Sequence, residues 1–214
     1  MTLPNATLFP QALLPLYIFE PRYRQMLADA LRTHRMFSVA MQRPGDSREM
    51  PSPVAGLGLI RVSVGHRDGT SHLILQGLAR VELEQTVRYK PYRVQRIRPL
   101  QSPPCDRVKA GVLVKALRGL LQEWIDLGLA FPFPVMSTED SSQKQGPMPF
   151  SSRDILKYLS SLDDAEQAVD LVSCAVLSAA TDRQAILETA DVETRLRKLI
   201  RFLRLEIRRS QKPD

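Results

Sequence analysis

Three prolines, Pro10, Pro15 and Pro21, punctuate the apolar run LFPQALLPLYIFEPRYRQM of residues 8–26 and decide what it can become. Proline has no backbone N–H to donate, so no long helix crosses the run. Leu13-Leu14-Pro15-Leu16-Tyr17-Ile18-Phe19 predicts an extended segment, and Pro15 places it at a sheet edge or a bulge. Glu20-Pro21 predicts a helix start, because proline at the first helical position gives up an amide that would be unpaired anyway. The strand therefore turns directly into a helix. Tyr23, Met26, Leu27, Ala30 and Leu31 recur in it at three- and four-residue spacing and form its buried face.

Downstream the pattern alternates between strand and turn. Residues 36–41 are short and apolar enough for a buried strand, and the turn-rich residues 43–53 predict a mobile loop. From Leu57 the period becomes two. His66-Arg67-Asp68-Gly69-Thr70 then predicts a hairpin turn, since Asp-Gly readily takes positive φ. At a hairpin tip, and with no glycine-rich ATP loop before it, His66-Arg67-Asp68 is not a kinase catalytic loop. Residues 72–77, 79–87 and 92–98 read as further strands, the later ones with one wet face.

After Ser102-Pro103-Pro104 the period becomes helical. Val108, Val112, Leu113, Ala116, Leu117, Leu120, Leu121, Trp124 and Ile125 form a broad apolar stripe and predict a long core helix over residues 107–129. Residues 131–150 predict a long loop. Three short helical segments follow, one capped by Asp163 or Asp164. Asp191 caps a last helix with Leu196, Leu199, Leu203 and Ile207 on its apolar face. Its basic residues, Arg195, Arg197, Lys198, Arg201, Arg204, Arg208 and Arg209, read as solvated surface.

Charge separates the two halves. Residues 1–104 hold 14 Lys and Arg against 7 Asp and Glu, whereas residues 105–214 hold 16 of each. The whole +7 lies in the first half and favours acidic partners, whether nucleic acid, acidic protein segments or anionic lipid. Its densest patch is Arg88, Lys90, Arg93, Arg96 and Arg98, the candidate contact for an anionic partner. The same charges also suit an exposed or edge strand that must not aggregate.

Three stretches together resemble the substrate-binding domain at the N-terminus of Lon proteases. They are LFP followed by LLPLYIFEPRYRQML; Val54-Ala55-Gly56-Leu57-Gly58 leading to Gly77-Leu78-Ala79-Arg80-Val81; and Arg183-Gln184-Ala185-Ile186-Leu187-Glu188 followed by Asp191-Val192-Glu193-Thr194-Arg195-Leu196. They run in the family's order across nearly the whole chain. The resemblance implies an α+β fold: a β-rich, PUA-like pseudo-barrel lobe over residues 1–101, then a helical-bundle lobe over residues 105–210. It also implies recognition of unfolded or damaged polypeptide, an adaptor role in protein quality control, and a Lon-type protease as a possible partner of a stand-alone domain. Candidate peptide contacts are Phe131, Phe133 and Met136 in the long loop, with the two phenylalanines tucked onto the bundle as the alternative. RNA binding by the basic lobe is the alternative function. The chain departs from the family at its start: the first strand is short, and Gln11 stands where a glycine commonly follows LFP.

Enzymatic readings find no support in the residues. None of the ten glycines begins a GxxxxGK[ST] phosphate loop, and no GxSxG or dinucleotide GxGxxG occurs. Asp163-Asp164 is explained as a helix start. His34, His66 and His72 are scattered, and neither Cys105 nor Cys174 lies in a CxxC or Cys/His cluster, so no metal or cofactor is expected. The two cysteines, with no secretory signal and no run near the roughly 20 apolar residues of a membrane span, predict a reducing, cytoplasmic setting. The expected state is a monomer or weak homodimer.

Overall fold

The computed structural model describes residues 1–45, 49–129 and 152–211, with backbone alone for 152–156. Its first lobe is a curled six-stranded sheet with one helix: β1 (Thr2–Leu3), β2 (Leu13–Ile18), α1 (Pro21–Arg32), β3 (Met36–Met41), β4 (Val54–Gly65), β5 (Ser71–Arg88) and β6 (Val94–Pro99). The second lobe is helical: α2 (Arg107–Asp126), α3 (Ser152–Ser161), α4 (Ala165–Val176), α5 (Ala180–Leu187) and α6 (Val192–Ser210). The α+β expectation holds.

Strand order is β1-β3-β4-β5-β2, with β6 also on β5. All pairs are antiparallel except β1 with β3, where Thr2 faces Ala40 and Leu3 faces Met41. The short first strand is thus present as two residues. β2 lies at the sheet edge, where Pro15 predicted it. Pro21 opens α1, and Gly69 at φ +81° closes the β4–β5 hairpin. His66 N–H donates there to the Thr70 carbonyl at 2.8 Å.

Residues 72–77 and 79–87, read as separate runs, form one long strand. Gly77 does not interrupt it; a Cβ there would lie 1.9 Å from the Phe9 carbonyl oxygen, and one on Gly56 2.0 Å from that of Leu8. These glycines let the proline-punctuated segment lie against the sheet backbone, with Gln11 N–H bonded to the Gly77 carbonyl at 2.8 Å. Gln11 itself has φ +64°, the left-handed conformation that favours glycine at this place. The expected mobile loop is closed at its base: Gln42 bridges Pro51, and Arg43 N–H donates to the Met50 carbonyl at 2.8 Å.

In the helical lobe Asp106, Asp164 and Asp191 cap α2, α4 and α6 by accepting from first-turn amides. Phe9, Ala12 and Val54 share one apolar cluster with the helices, so the lobes pack directly on each other. Two expectations fail here. Val108 and Val112 are 78% and 66% exposed, because α2 turns Ala110, Val114, Leu117, Leu121 and Trp124 inward instead. Arg195 is fully buried and not solvated.

Arg195 belongs to a charged clasp between the lobes. Buried Arg80 of β5 grips Asp170 of α4 with both terminal nitrogens, Nη1 at 2.8 Å from Oδ2, and gives its Nε to the Leu187 carbonyl. Arg195 Nη1 donates to Asp170 Oδ1, the oxygen that Arg80 Nη2 also holds, at 3.0 Å, and its Nη2 donates to Glu166 Oε1 and Ser102 Oγ, each at 2.7 Å. Burial pushes the Asp170 carboxyl above its ordinary value, while the two guanidiniums pull it back. Burial pushes Glu166 up as well, but hydrogen bonds from Arg195 and Ser102 win and leave it below the usual range. Two cations and two anions balance in the clasp.

Candidate functional site

One helix is too little to cover both faces of the first lobe's sheet. Tyr23, Met26, Leu27 and Ala30 of α1 pack with Ile18, Phe37, Val39, Ile60, Leu73 and Leu75 on the inner face. Residues directly opposite in paired strands point to the same side. Pro15, Ile74 and Val62 therefore form one row of the outer face, and Tyr17, His72 and Val64 the next. Leu13, Tyr17, Phe19, Val62, Val64 and Ile74 are all exposed there, with Phe19 and Leu13 the most open at 58% and 57%. Among the described residues no element covers them.

Local contacts order this face. The Tyr17 ring stacks on Phe19 with centroids 5.8 Å apart and lies 4.7 Å from the His72 ring. His66 Nε2 and His72 Nδ1 share a hydrogen bond of 2.7 Å. Two of the three histidines that looked scattered thus meet across the hairpin. Among the described residues no three His, Cys, Asp or Glu converge in a way that could hold a metal ion.

A second opening lies inside the curl of the sheet. A cavity of about 460 Å³ is lined by Met26 and Ala30 of α1, Met36 and Phe37 of β3, Leu57 and Leu83, and Ile97 of β6. Tyr92 Oη closes one side by donating to Asp29 Oδ2 at 2.8 Å. That hydrogen bond, then the Arg32 bond, holds the Asp29 carboxyl below the usual carboxylate range. Arg22 forks onto Glu49, with Nη1–Oε2 at 2.6 Å and Nη2–Oε1 at 3.1 Å, and holds Glu49 low in the same way.

The structure gives the five basic residues proposed for an anionic partner different local contacts. Arg98 is paired with Glu82, and its Nε lies 3.4 Å from Glu84. Arg93 donates to the Glu49 carbonyl at 3.2 Å and lies over the Tyr89 ring, while Arg88 lies over Tyr92. Lys90 and Arg96 are exposed. Phe131, Phe133 and Met136 lie outside the described residues.

Sequence reasoning named its apolar contact residues only in the long loop and so missed the outer face. A signal was present. Leu13, Leu14, Leu16, Tyr17, Ile18 and Phe19 are apolar on both parities of β2, and an edge strand in a lobe with one helix cannot bury both.

Residues 1–204 match the family described as the ATP-dependent protease La (LON) substrate-binding domain. The Lon protease of Desulfosudis oleivorans is 23% identical over 209 residues, which are 95% of this chain and 23% of that protein. That of Dictyoglomus thermophilum is 22% identical over 210 residues, 97% of this chain and 24% of that protein. The chain therefore spans about a quarter of the length of these relatives. Among solved structures, the N-terminal domain of Mycobacterium avium complex Lon protease has a TM-score of 0.66 at 15% identity, covering 95% of this chain and 96% of that one. The Lon N-terminal domain protein from Xanthomonas campestris has a TM-score of 0.61 at 19% identity, covering 94% and 96%. At those identities the likeness is one of fold. Since the family match takes in nearly the whole chain, this protein belongs to the LON substrate-binding domain family.

Proposed function

We propose that the protein is a non-catalytic polypeptide-recognition module that holds unfolded or damaged chains on the outer face of its first-lobe sheet. The observation that carries this reading is the cluster of exposed Leu13, Tyr17, Val62, Val64 and Ile74 on three adjacent strands, with Phe19 directly after β2. Contiguous apolar surface of this kind marks interaction sites. Its aromatic residues give large contact area at low entropic cost, and the outer edge of β2, unpaired among the described residues, offers backbone groups to an extended chain. The matched region being the substrate-binding part of Lon proteases supports the same reading. Delivery of bound chains to a Lon-type protease, as an adaptor in a reducing cytoplasm, is the setting proposed for it; both cysteines are free. RNA binding has less support, because Arg98 is neutralised by Glu82 and Glu84 and Arg93 is turned toward Glu49.

Reduced, carbamidomethylated lysozyme is an unfolded and basic probe, so electrostatic attraction to a basic lobe cannot explain its capture. Titrated with the full chain, it binds saturably in the tens of micromolar. Tyr17→Ser with Val64→Ser weakens binding at least fivefold without lowering Tm. Unsaturable binding, or equal affinity in the double variant, refutes the proposal.

A further inference from the structure

The helical lobe carries a second concave surface that the sheet-face reading does not use. α2 and α6 leave between them a groove of about 530 Å³ whose apolar floor is Leu113 and Ala116 of α2 with Ile200 of α6, Leu205 lying beyond the arginines of α6. One wall is Arg197, Arg201, Arg204 and Arg208. Their spacing of four, three and four residues puts them in one row along α6, about 16 Å long at ~1.5 Å per residue. Arg197 pairs with Glu193 at 2.7 Å, but among the described residues Arg201, Arg204 and Arg208 have no carboxylate within ion-pair reach. On the α2 side exposed Val112 lies one turn before Ala116 and extends the apolar strip.

We propose that this groove binds an acidic amphipathic helix of a partner protein, packed alongside α2 and α6 as a third helix. The apolar side of that helix covers Leu113, Ala116 and Ile200. Its carboxylates, one helical turn apart at i, i+4, i+7 and i+11, meet the arginine row, and guanidinium forks suit carboxylates bidentately. A phosphate backbone satisfies the arginines but has no apolar stripe for the floor. The surface lies on the other lobe from the sheet face, so either proposal can fail without the other.

The test uses fluorescence anisotropy on the full chain with three probes. These are an 18-residue amphipathic helical peptide with Glu at the four facing positions, the same peptide with Gln there, and a 20-nucleotide single-stranded oligonucleotide. The Glu peptide binds in the micromolar range, the Gln peptide at least tenfold more weakly. Arg201→Glu with Arg204→Glu lowers Glu-peptide affinity at least tenfold and leaves Tm unchanged, both residues being exposed. Val112→Asp weakens both peptides. Failure of the Glu peptide to bind, equal binding of the two peptides, or unchanged affinity in the double arginine variant overturns the proposal. Tighter oligonucleotide binding that the same variant abolishes also overturns it and makes the row a phosphate site.

Discussion

Asp170→Asn is the sharpest probe of how the two lobes are joined. The Asp170 carboxylate is 1% exposed and lies between Arg80 and Arg195, themselves 4% and 0% exposed. Replacing it with a neutral amide leaves two buried guanidiniums facing each other, with only Glu166 to balance them. Breaking a buried ion pair from one side costs about 3–5 kcal/mol. In a chain of 150–250 residues each kcal/mol shifts Tm by roughly 2–4 °C, so the loss should be roughly 6–20 °C. The contrasting variant replaces Arg80 with Met, Asp170 with Leu and Arg195 with Met together. Burial already pushes the Asp170 carboxyl up, which means that its charge is held inside at a cost. An apolar clasp of similar volume removes that cost and should be more stable than Asp170→Asn. Urea unfolding at pH 7 compares the three proteins. A loss under about 1 kcal/mol in Asp170→Asn, or a triple variant less stable than the single one, refutes the reasoning.

Three further outcomes follow from other parts of the chain. Gly77→Ala puts a methyl group 1.9 Å from the Phe9 carbonyl, and the backbone must part to admit it; thermal unfolding should show a loss of about 3 kcal/mol or failure to fold. Asp29 and Glu49 have folded values below their ordinary 3.8 and 4.5, so what they contribute is present above those values and lost as pH falls through the lower folded ones. Tm should accordingly decline below about pH 4.5, and less so in Glu49→Gln. Burial pushes the Cys174 thiol up to about 11, so at pH 8 its alkylation in the folded chain should be at least tenfold slower than after denaturation in urea.

The sequence showed best what local chemistry decides. Pro21 opens a helix because of its missing amide, Asp68-Gly69 turns because of its φ, and Asp191 caps because its carboxylate meets first-turn amides. What it hid depends on contacts between distant residues. Arg80 alternates as an outward residue should, yet its partner Asp170 is 90 residues away and the helical lobe packs over it. Arg195 had a trace: three residues after Val192 and four before Leu199, it sits within α6's buried stripe. A charged residue there implied a buried partner that no local pattern could name. Val108 and Val112 failed for the converse reason, since apolar character does not reveal which part of a helix has a neighbour. The outer sheet face escaped notice because a strand apolar on both parities reads as core until the number of covering helices is known.

The claim that the uncovered sheet face is what grips a client is tested most directly by mapping NMR shifts of the labelled chain as unfolded, carbamidomethylated lysozyme is added. The account predicts that the saturating changes centre on Leu13, Tyr17, Phe19, Val62, Val64 and Ile74. Changes confined to the helical lobe or to the methionine-lined cavity, with this face silent, would contradict it.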